Sequence, residues 1–262
     1  MIKKINYLDI DRNLKLKGFY VLNNFLSNTQ CKNFLKKILN KNFIKDAPGK
    51  FHKGAQMVYN LQNKDEDFIR LIFDKNLNKI CEKYFRYGSE KNDKDIYQFD
   101  ALHSRILSGK CEEQNLHIDS RVCGINPPTH LHFFFYLSDV KKDDGPTQLV
   151  PCSHKLLKYP TNKDKNKAIK IIGKKGTMIV INSSTWHGSS IKNSINNRAI
   201  LTLSYSRWHI RQTYAVPYSI PIKIEKKLNL KQKKILGYFN YPPKNEKLRL
   251  RMRGPLTTLK SK

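Results

Sequence analysis

The sequence predicts a mainly β fold with flanking helices, and three observations support this. The chain has 262 residues, of which 39% are hydrophobic and 11% aromatic, so it can bury a sizeable core. Between about residues 97 and 206, short β-rich segments alternate with turn residues such as Asp143–Pro146. Before this region, apolar residues recur at helical spacing. Many short strands separated by polar turns are typical of a sandwich or barrel, the jelly roll among them.

The first third predicts one short strand and two helices. Gly18–Leu22 is a β-prone run. Ser27 and Gln30 then form an S-x-x-Q capping box, and apolar residues follow at i, i+3, i+4, i+7 and i+8 from Cys31. A second helical stretch is predicted from about Asp67 to Phe85. We expect both apolar stripes to pack into the core.

The middle of the chain predicts most of the sheet structure, and the end is different in composition. Beyond Ser206 the chain is rich in lysine, with one helix predicted at about Leu230–Leu236 and closed by Gly237. The predicted strands of the middle region are Gln98–Ser108, Leu131–Leu137, Thr147–Pro151, Ile169–Ile172, Thr177–Asn182 and Ala199–Ser206.

The net charge of +29 raises the question of nucleic-acid binding, because basic faces bind phosphates through counterion release. The basic residues are 39 lysines and 11 arginines, accompanied by 24 asparagines. Lysine, asparagine and isoleucine are encoded by A/T-rich codons, so a genome-wide drift toward A and T accounts for the excess of basic over acidic residues. Dedicated phosphate and base readers favour arginine, whose guanidinium binds bidentately. We therefore expect no specific nucleic-acid partner.

The cysteines and the absence of apolar segments bear on location. The five cysteines are scattered and never form a CxxC pair, which argues against a zinc ribbon or a disulfide framework. No apolar run approaches the roughly 18 residues of a membrane-spanning helix, and the beginning of the sequence has no apolar segment typical of a secretory signal. We expect a cytoplasmic protein without a membrane span.

A candidate metal site combines three residues that are distant in sequence. His117 and Asp119 would point to the same face of a strand. His187 follows the predicted strand Thr177–Asn182, where a jelly-roll chain would return beside the first pair. Two histidines and one carboxylate form the facial triad of non-haem Fe(II) oxygenases, which leaves coordination positions open. The alternative is three unrelated polar residues.

Arg198 opens the predicted strand Ala199–Ser206. A guanidinium there could bind the remote carboxylate of a 2-oxo acid that chelates the metal. The alternative is a surface arginine with no ligand.

Together these residues, in this order, resemble the phytanoyl-CoA dioxygenase family of Fe(II)/2-oxoglutarate enzymes, and the resemblance covers most of the chain. Cys152 departs from the glycine usual in its segment, so we expect a local difference in the loop geometry there. The matching features are the opening Gly18–Leu22 through Phe25-Leu26-Ser27 and Cys31, the His117-x-Asp119 pair, the segment Asp144–His154, the segment Gly176–His187, Arg198, and the tail from Ser206 through Tyr238.

The resemblance implies a double-stranded β-helix (jelly roll) and a ligand set. By it, His117, Asp119 and His187 hold Fe(II), and Arg198 binds the C5 carboxylate of 2-oxoglutarate. Ser189 and Thr147 are implied as hydroxyl donors to the same carboxylate. The implied reaction consumes O₂ and 2-oxoglutarate, releases succinate and CO₂, and hydroxylates a small-molecule substrate.

The expected organisation is a single dioxygenase domain over residues 1–262. It comprises an N-terminal strand and helices (1–95), a jelly-roll core (96–210) and a basic C-terminal extension (211–262). Two alternatives stay open: a nucleic-acid-associated basic protein, suggested by the charge and by Arg249, Arg251 and Arg253, and a metal-binding jelly roll without catalysis.

Further polar residues flank the expected site. His130 and His132 repeat the i, i+2 spacing, but no carboxylate follows at a matching position, so packing or positioning roles are expected. Four arginines are either solvated strand ends or an anion-binding rim for a substrate carboxylate, phosphate or acyl-CoA. These are Arg105, Arg121, Arg207 and Arg211.

Overall fold

A computed structural model describes residues 5–43, 54–93, 95–120, 122–242 and 246–247. The α-helices in these residues are α1 (Tyr7–Lys17), α2 (Asn28–Ile38), α3 (Glu66–Ile72), α4 (Lys75–Arg86), α5 (Val216–Ser219), α6 (Ile222–Glu225) and α7 (Leu230–Ile235). The strands are β1 (Phe19–Leu22), β2 (Ala55–Val58), β3 (Tyr97–Leu107), β4 (Gln114–His117), β5 (His130–Tyr136), β6 (Thr147–Leu149), β7 (Ile169–Ile171), β8 (Met178–Asn182), β9 (His187–Ser189) and β10 (Arg198–Arg207).

The strands form two antiparallel sheets. The larger sheet has six strands in the order β1-β8-β5-β10-β3-β2, and the smaller has four in the order β4-β9-β6-β7. All six strands predicted in the middle region are present, and so is β1. The sequence analysis missed β2, β4 and β9, because each is three or four residues long and too short to show an alternating pattern.

The large sheet packs against the helices with one face and against the small sheet with the other. On β5, Leu131, Phe133 and Phe135 pack into the main core together with side chains of α2, α3 and α4. The intervening residues of this strand include His132 and Phe134, and both line a cavity on the opposite face. The two-residue period of a strand therefore places the helices on one side and leaves the other side to the small sheet.

Helix α1 was not predicted from the sequence. Only Ile10 and Leu14 are buried along its eleven residues, so its apolar stripe is too narrow to stand out. Gly18 ends the helix in the left-handed conformation with φ of 89°, and its N–H donates to Leu14 O at 3.1 Å. The predicted strand consequently begins one residue later, at Phe19.

Helix α2 begins with the predicted capping box. The Ser27 hydroxyl accepts from the Gln30 N–H at 3.1 Å, and the Ser27 N–H donates to Gln30 Oε1 at 2.8 Å. Leu26 and Cys31 flank this cap and are both buried, as a hydrophobic staple requires. The cap fixes where the helix leaves β1.

We expect Ser27→Ala to lower the free energy of unfolding by about 1 kcal/mol, because the variant leaves the first-turn N–H groups without their acceptor. Urea denaturation followed by circular dichroism measures this. Thr29→Ala, at an exposed position of the same helical turn, is the matched control and should change the value by less than about 0.5 kcal/mol. Equal effects of the two substitutions would contradict the capping role.

The single helix predicted over residues 67–85 is wrong: the structure has two helices there, α3 and α4. Asp74 begins the second one, since its carboxylate accepts from the N–H groups of Asn76 and Leu77 at 2.8 and 3.1 Å. An aspartate N-cap starts a new helix, while the apolar residues before and after it keep the same helical spacing. The sequence pattern therefore concealed the break.

The loop at Cys152 keeps a glycine-like geometry despite its side chain. Cys152 has φ of 65°, in the left-handed region, and its N–H donates to Lys17 O at 2.8 Å. The substitution of the usual glycine is thus accommodated as local strain rather than as a different loop.

The C-terminal region follows the large sheet. Helix α7 is present as predicted, with Asn229 as its N-cap and Gly237 in the left-handed conformation after its end. Arg249, Arg251 and Arg253 lie outside the described residues, as does Arg121. Among the described residues, every helix is too short or too polar to traverse a bilayer.

Candidate functional site

Strands β4 and β9 bring two of the predicted ligands together. His117 and His187 are directly paired in the antiparallel register, and their ring centroids are 4.3 Å apart. The register shifts between Gln114 and His117. The pairing confirms the expectation that the chain returns beside the first histidine at His187.

Asp119 reaches the histidines from beyond the strand. The expectation that His117 and Asp119 share one strand face is wrong, because β4 ends at His117. The chain then bends, and the N–H of Asp119 donates to Ser183 O at 3.0 Å. The carboxylate Oδ1 lies 3.6 Å from His117 Nε2, and Oδ2 lies 3.3 Å from His187 Nε2.

The three side chains form a group able to bind one metal ion. One ligand atom from each of His117, Asp119 and His187 lies within 4.8 Å of the others. Each histidine uses its Nδ1 elsewhere: His117 Nδ1 donates to Asn115 O at 3.0 Å and His187 Nδ1 to Thr185 O at 2.9 Å. These bonds orient both rings so that each Nε2 faces the Asp119 carboxylate.

The ionisation states of His117 and Asp119 suit a divalent cation, whereas Asp119 outweighs burial and raises the pKa of His187, so a metal ion would have to displace a proton from that ring. Burial and the neighbouring His187 lower the pKa of His117 to about 4, so its imidazole is neutral near pH 7. Burial raises the pKa of Asp119, but His187, His132 and His117 outweigh it and hold the pKa well below its usual range. A neutral imidazole and an ionised carboxylate are the forms that bind metal.

His132, on strand β5 of the large sheet, lies next to the Asp119 carboxylate. Its Nδ1 lies 2.7 Å from Ser204 Oγ, and its Nε2 lies 3.4 Å from Asp119 Oδ2. Burial lowers the pKa of His132 to about 3, so the ring is neutral. The sequence analysis expected a packing or positioning role for this residue. It lies beside Asp119 and is held by Ser204, but its Nε2 makes no hydrogen bond to the carboxylate.

The predicted anion-binding residues lie next to the metal-binding group. Arg198 is fully buried and donates through Nη2 to Thr147 Oγ1 at 3.2 Å. Thr147 and Ser189 are directly opposite each other on β6 and β9. The Arg198 Nε and Nη1 atoms and the Ser189 hydroxyl are buried without hydrogen-bond partners. Because unpaired buried donors are costly, this set fits a carboxylate that would accept from all three residues.

Gly188 allows β9 to approach β4 closely. A Cβ added there would lie 2.4 Å from Gln114 O and 3.0 Å from Asn115 O. Real Cβ atoms do not approach backbone oxygens so closely, so any side chain would force the two strands apart.

We therefore expect Gly188→Ala to weaken divalent-metal binding by about tenfold or more, since it displaces His117 from His187. Calorimetric titration with Mn(II) measures this. Gly109→Ala is the matched control: its added Cβ meets no atom within 4 Å, although its φ of 61° costs stability. If both variants bind Mn(II) equally well, the close approach at Gly188 is not what sets the ligand geometry.

A cavity of about 870 Å³ opens between the two sheets at this site. It is lined by five of the six predicted site residues, Ser189 being the exception. A larger open groove of about 1420 Å³ lies between α1 and α4 and contains none of them. This cavity is therefore the candidate active site.

The four flanking arginines do not share one structural role. Arg105 and Arg211 line the cavity. Arg207 is buried and donates to the carbonyls of Pro128 and Tyr87, so it is a structural residue and neither a solvated strand end nor part of a rim. The fourth, Arg121, is among the residues not described.

Sequence reasoning missed several residues of the cavity wall. Asp100 and His103 lie on the predicted strand β3, and residues 210–214 cross the cavity after β10. The signal available in the sequence was the i, i+2 spacing of His103 and Arg105 on a predicted strand, which places both on one face. Nothing local indicated that the segment after β10 would fold back onto the site.

Comparisons with known proteins agree with this architecture. HygX from Streptomyces hygroscopicus, with nickel and 2-oxoglutarate bound, is 14% identical, with a TM-score of 0.62 over 76% of this chain and 86% of that one. The epimerase SnoN of nogalamycin biosynthesis, in complex with Fe³⁺, alpha ketoglutarate and nogalamycin RO, is 13% identical, with a TM-score of 0.65 over 81% and 88% of the two chains. These likenesses confirm the predicted mainly β, jelly-roll fold.

The sequence comparisons carry the assignment further. The dioxygenase cdmD of Talaromyces verruculosus is 26% identical over 168 residues, which are 60% of this chain and 53% of that protein. The match thus spans about half of the length of that relative. The phytanoyl-CoA dioxygenase family matches residues 14–199, well over half of the chain. The chain therefore belongs to the phytanoyl-CoA dioxygenase family.

Proposed function

We propose that the protein hydroxylates a small-molecule substrate, with consumption of O₂ and 2-oxoglutarate and release of succinate and CO₂. In this proposal His117, Asp119 and His187 bind Fe(II), and Arg198, Thr147 and Ser189 bind the C5 carboxylate of 2-oxoglutarate. One observation carries it: the His-Asp-His group lies beside a fully buried guanidinium that has two nitrogens without partners.

The metal-binding end is held rigid before any ligand arrives. The Nδ1 bonds of His117 and His187 to backbone carbonyls fix both rings, and the backbone N–H of Asp119 donates to Ser183 O. Three protein ligands on one side leave positions for a chelating co-substrate and O₂. When bound, iron and 2-oxoglutarate supply the activated oxygen that is inserted into a substrate C–H bond.

The anion-binding end sets the orientation of 2-oxoglutarate. Arg198 and Ser189 would donate to its remote carboxylate. The pairing of β6 with β9 places Ser189 opposite Thr147, and Thr147 accepts a hydrogen bond from Arg198 on β10. The wall beside them includes the apolar side chains of Phe134 and Ile200. The protein thus contributes alignment of the co-substrate rather than a proton-transfer group.

The solved relatives support a small molecule as the substrate. One structure of HygX contains hygromycin B, and one structure of SnoN contains nogalamycin RO. A cavity of about 870 Å³ has room for a substrate of moderate size next to 2-oxoglutarate.

A metabolite screen tests this function. Purified protein is supplied with Fe(II), ascorbate, O₂ and 2-oxoglutarate, and succinate is measured with and without each compound. We expect at least one small molecule to raise succinate formation and to gain one oxygen atom, and the Asp119→Ala variant to show neither. Succinate without any oxygenated product across the screen would contradict hydroxylation, and no succinate at all would favour the inactive metal-binding alternative.

We further propose that the three segments 1–95, 96–210 and 211–262 act as one dioxygenase domain in the cytoplasm. The strongest support for the first point is that residues 210–214, after the core, line the same cavity as β3 and β5. The second is supported by the cysteines, since all five are free thiols. Alkylation tests the thiols. Protein taken from cells is denatured without reductant and treated with an alkylating reagent. We expect all five cysteines to be labelled, and a disulfide would contradict this.

A further inference from the structure

Two charged side chains on the cavity wall have no ionic partner among the described residues. Asp100 and Arg105 both lie on β3 and both line the cavity. Asp100 is 5% exposed, and Arg105 is half-buried. A charge removed from water is costly unless an opposite charge compensates it. These two residues therefore indicate what a ligand in this cavity should carry.

A bulge turns Asp100 toward the cavity. Ser204 pairs with Ala101 and the next residue, Tyr205, pairs with Phe99, so Asp100 is the extra residue in β3. A bulge re-aims a side chain that would otherwise point to the helices. The Asp100 carboxylate accepts from the Thr213 N–H at 2.7 Å and from the Thr213 hydroxyl at 3.1 Å. Burial raises the pKa of the Asp100 carboxyl, and the two bonds from Thr213 oppose this shift and favour the ionised form.

The nearby histidine does not supply the missing positive charge. Burial lowers the pKa of His130, so its ring is neutral near pH 7 although Asp100 opposes this shift. Its Nδ1 pairs with Thr129 Oγ1 at 3.0 Å. The carboxylate of Asp100 thus has hydrogen bonds but no counter-charge.

Arg105 is the opposite case. Its Nη1 donates to Gln114 Oε1, which is a neutral partner, and its Nη2 is buried without any hydrogen-bond partner. Two other arginines line the same cavity, the buried Arg198 and the exposed Arg211. Burial lowers the pKa of Arg105, and Arg198 lowers it further, so neither arginine compensates its charge. Its charge is therefore available to a ligand.

The proposed cofactors do not neutralise this pair. Iron as Fe(II) and Arg198 together carry three positive charges, and Asp119 with the two carboxylates of 2-oxoglutarate carries three negative ones. Asp100 and Arg105 stay uncompensated, one of each sign. They are five residues apart on one strand, which is about 15 Å between their backbones.

We propose that the primary substrate is a small zwitterion, whose cationic group is bound by Asp100 and whose anionic group is bound by Arg105. This rests on the proposed function, because the charge balance assumes bound Fe(II) and 2-oxoglutarate. The spacing along β3 requires the two charges to lie at opposite ends of a carbon skeleton several atoms long. The bond to be hydroxylated then lies between them, opposite the His117, Asp119 and His187 side chains.

A matched series of ligands tests the charge requirement. The probes are ω-amino acids from 4-aminobutanoate to 8-aminooctanoate, each with the n-alkylamine and the n-alkanoate of the same length. Binding is measured by calorimetry on protein loaded with Mn(II) and 2-oxoglutarate without oxygen. We expect at least one amino acid to bind tenfold or more tightly than both of its singly charged analogues. If none does, the proposal is overturned.

Three variants assign the two ends. With Asp100→Asn the best amino acid should bind no better than its alkanoate, and with Arg105→Gln no better than its alkylamine. Arg211→Gln removes an exposed positive charge from the same cavity and should change its affinity by less than about threefold. Loss of discrimination in Arg211→Gln, or its persistence in Arg105→Gln, would overturn the assignment of the anionic end.

A separate titration keeps this inference distinct from the function it builds on. Binding of 2-oxoglutarate to Mn(II)-loaded protein should be unchanged within about threefold in Asp100→Asn and Arg105→Gln. If 2-oxoglutarate binds but no amino acid is preferred, only the zwitterion proposal fails. If 2-oxoglutarate does not bind the wild type, the proposed function itself fails. A large loss of 2-oxoglutarate affinity in Arg105→Gln would show that this arginine serves the co-substrate instead.

Discussion

Replacing Asp119 by alanine is expected to remove metal binding and 2-oxoglutarate turnover together. Asp119 supplies the only carboxylate in the group formed with His117 and His187, and it lies within 3.6 Å of both rings. Residues that merely orient ligands already cost 10- to 100-fold in metal affinity when they are changed. We therefore expect the affinity for Mn(II) to fall by more than about 100-fold.

The loss should be specific to the ligand and not to the fold. Asp119 holds the chain through its backbone N–H to Ser183 O, which alanine retains. Thermal unfolding of the metal-free variant should accordingly occur near the wild-type temperature. Asp143→Ala, at an exposed turn position, is the matched control and should leave Mn(II) affinity and succinate formation unchanged. A variant at position 119 that still binds Mn(II) as the wild type does would refute the ligand assignment.

Arg198→Met should have opposite effects on function and on the stability of the unliganded protein. Removing one partner of a buried charge pair costs about 2–5 kcal/mol. That corresponds to a rise of about 30-fold or more in the KM for 2-oxoglutarate. Without the ligand, however, two nitrogens of this guanidinium are buried and unpaired, so methionine should leave the free energy of unfolding unchanged or raise it by about 1 kcal/mol or more.

Two measurements on the same preparations check this prediction. Urea denaturation without ligand gives the stability, and succinate formation at increasing 2-oxoglutarate concentration gives the KM. Ser189→Ala and Thr147→Val are useful companions, because each would remove one hydroxyl and should raise the KM by about tenfold at most. A destabilised Arg198→Met with an unchanged KM would mean that the guanidinium is structural and binds no co-substrate.

The sequence predicted most of the fold because long elements carry their own periodicity. The alternation along β5 and β10 and the apolar stripe of α2 are visible in the chain itself. The prediction from sequence failed where the local residue pattern is weak or misleading. Helix α1 buries only two residues, β4 and β9 are three or four residues long, and the cap at Asp74 left the apolar period of its helices intact.

For the candidate site too, some features could be predicted from the sequence and others could not. The sequence supplied the identities of His117, Asp119 and His187, through their spacing and a resemblance to a family. It placed Asp119 on a strand, whereas the chain bends after His117 and reaches the histidines through a bond to Ser183. It also suggested an arginine rim, of which Arg207 proved to be an internal support for backbone carbonyls.

By itself, the sequence determined the fold class and the types of side chain available, because helical and strand periodicities and residue chemistry are local properties. Only the tertiary structure decided which of those side chains share a cavity. The bulge that turns Asp100 inward, the unpaired nitrogens of Arg198 and the return of residues 210–214 all depend on strand register and on contacts between residues over a hundred positions apart. Such contacts follow from the packing of whole sheets, and no short stretch of sequence encodes them.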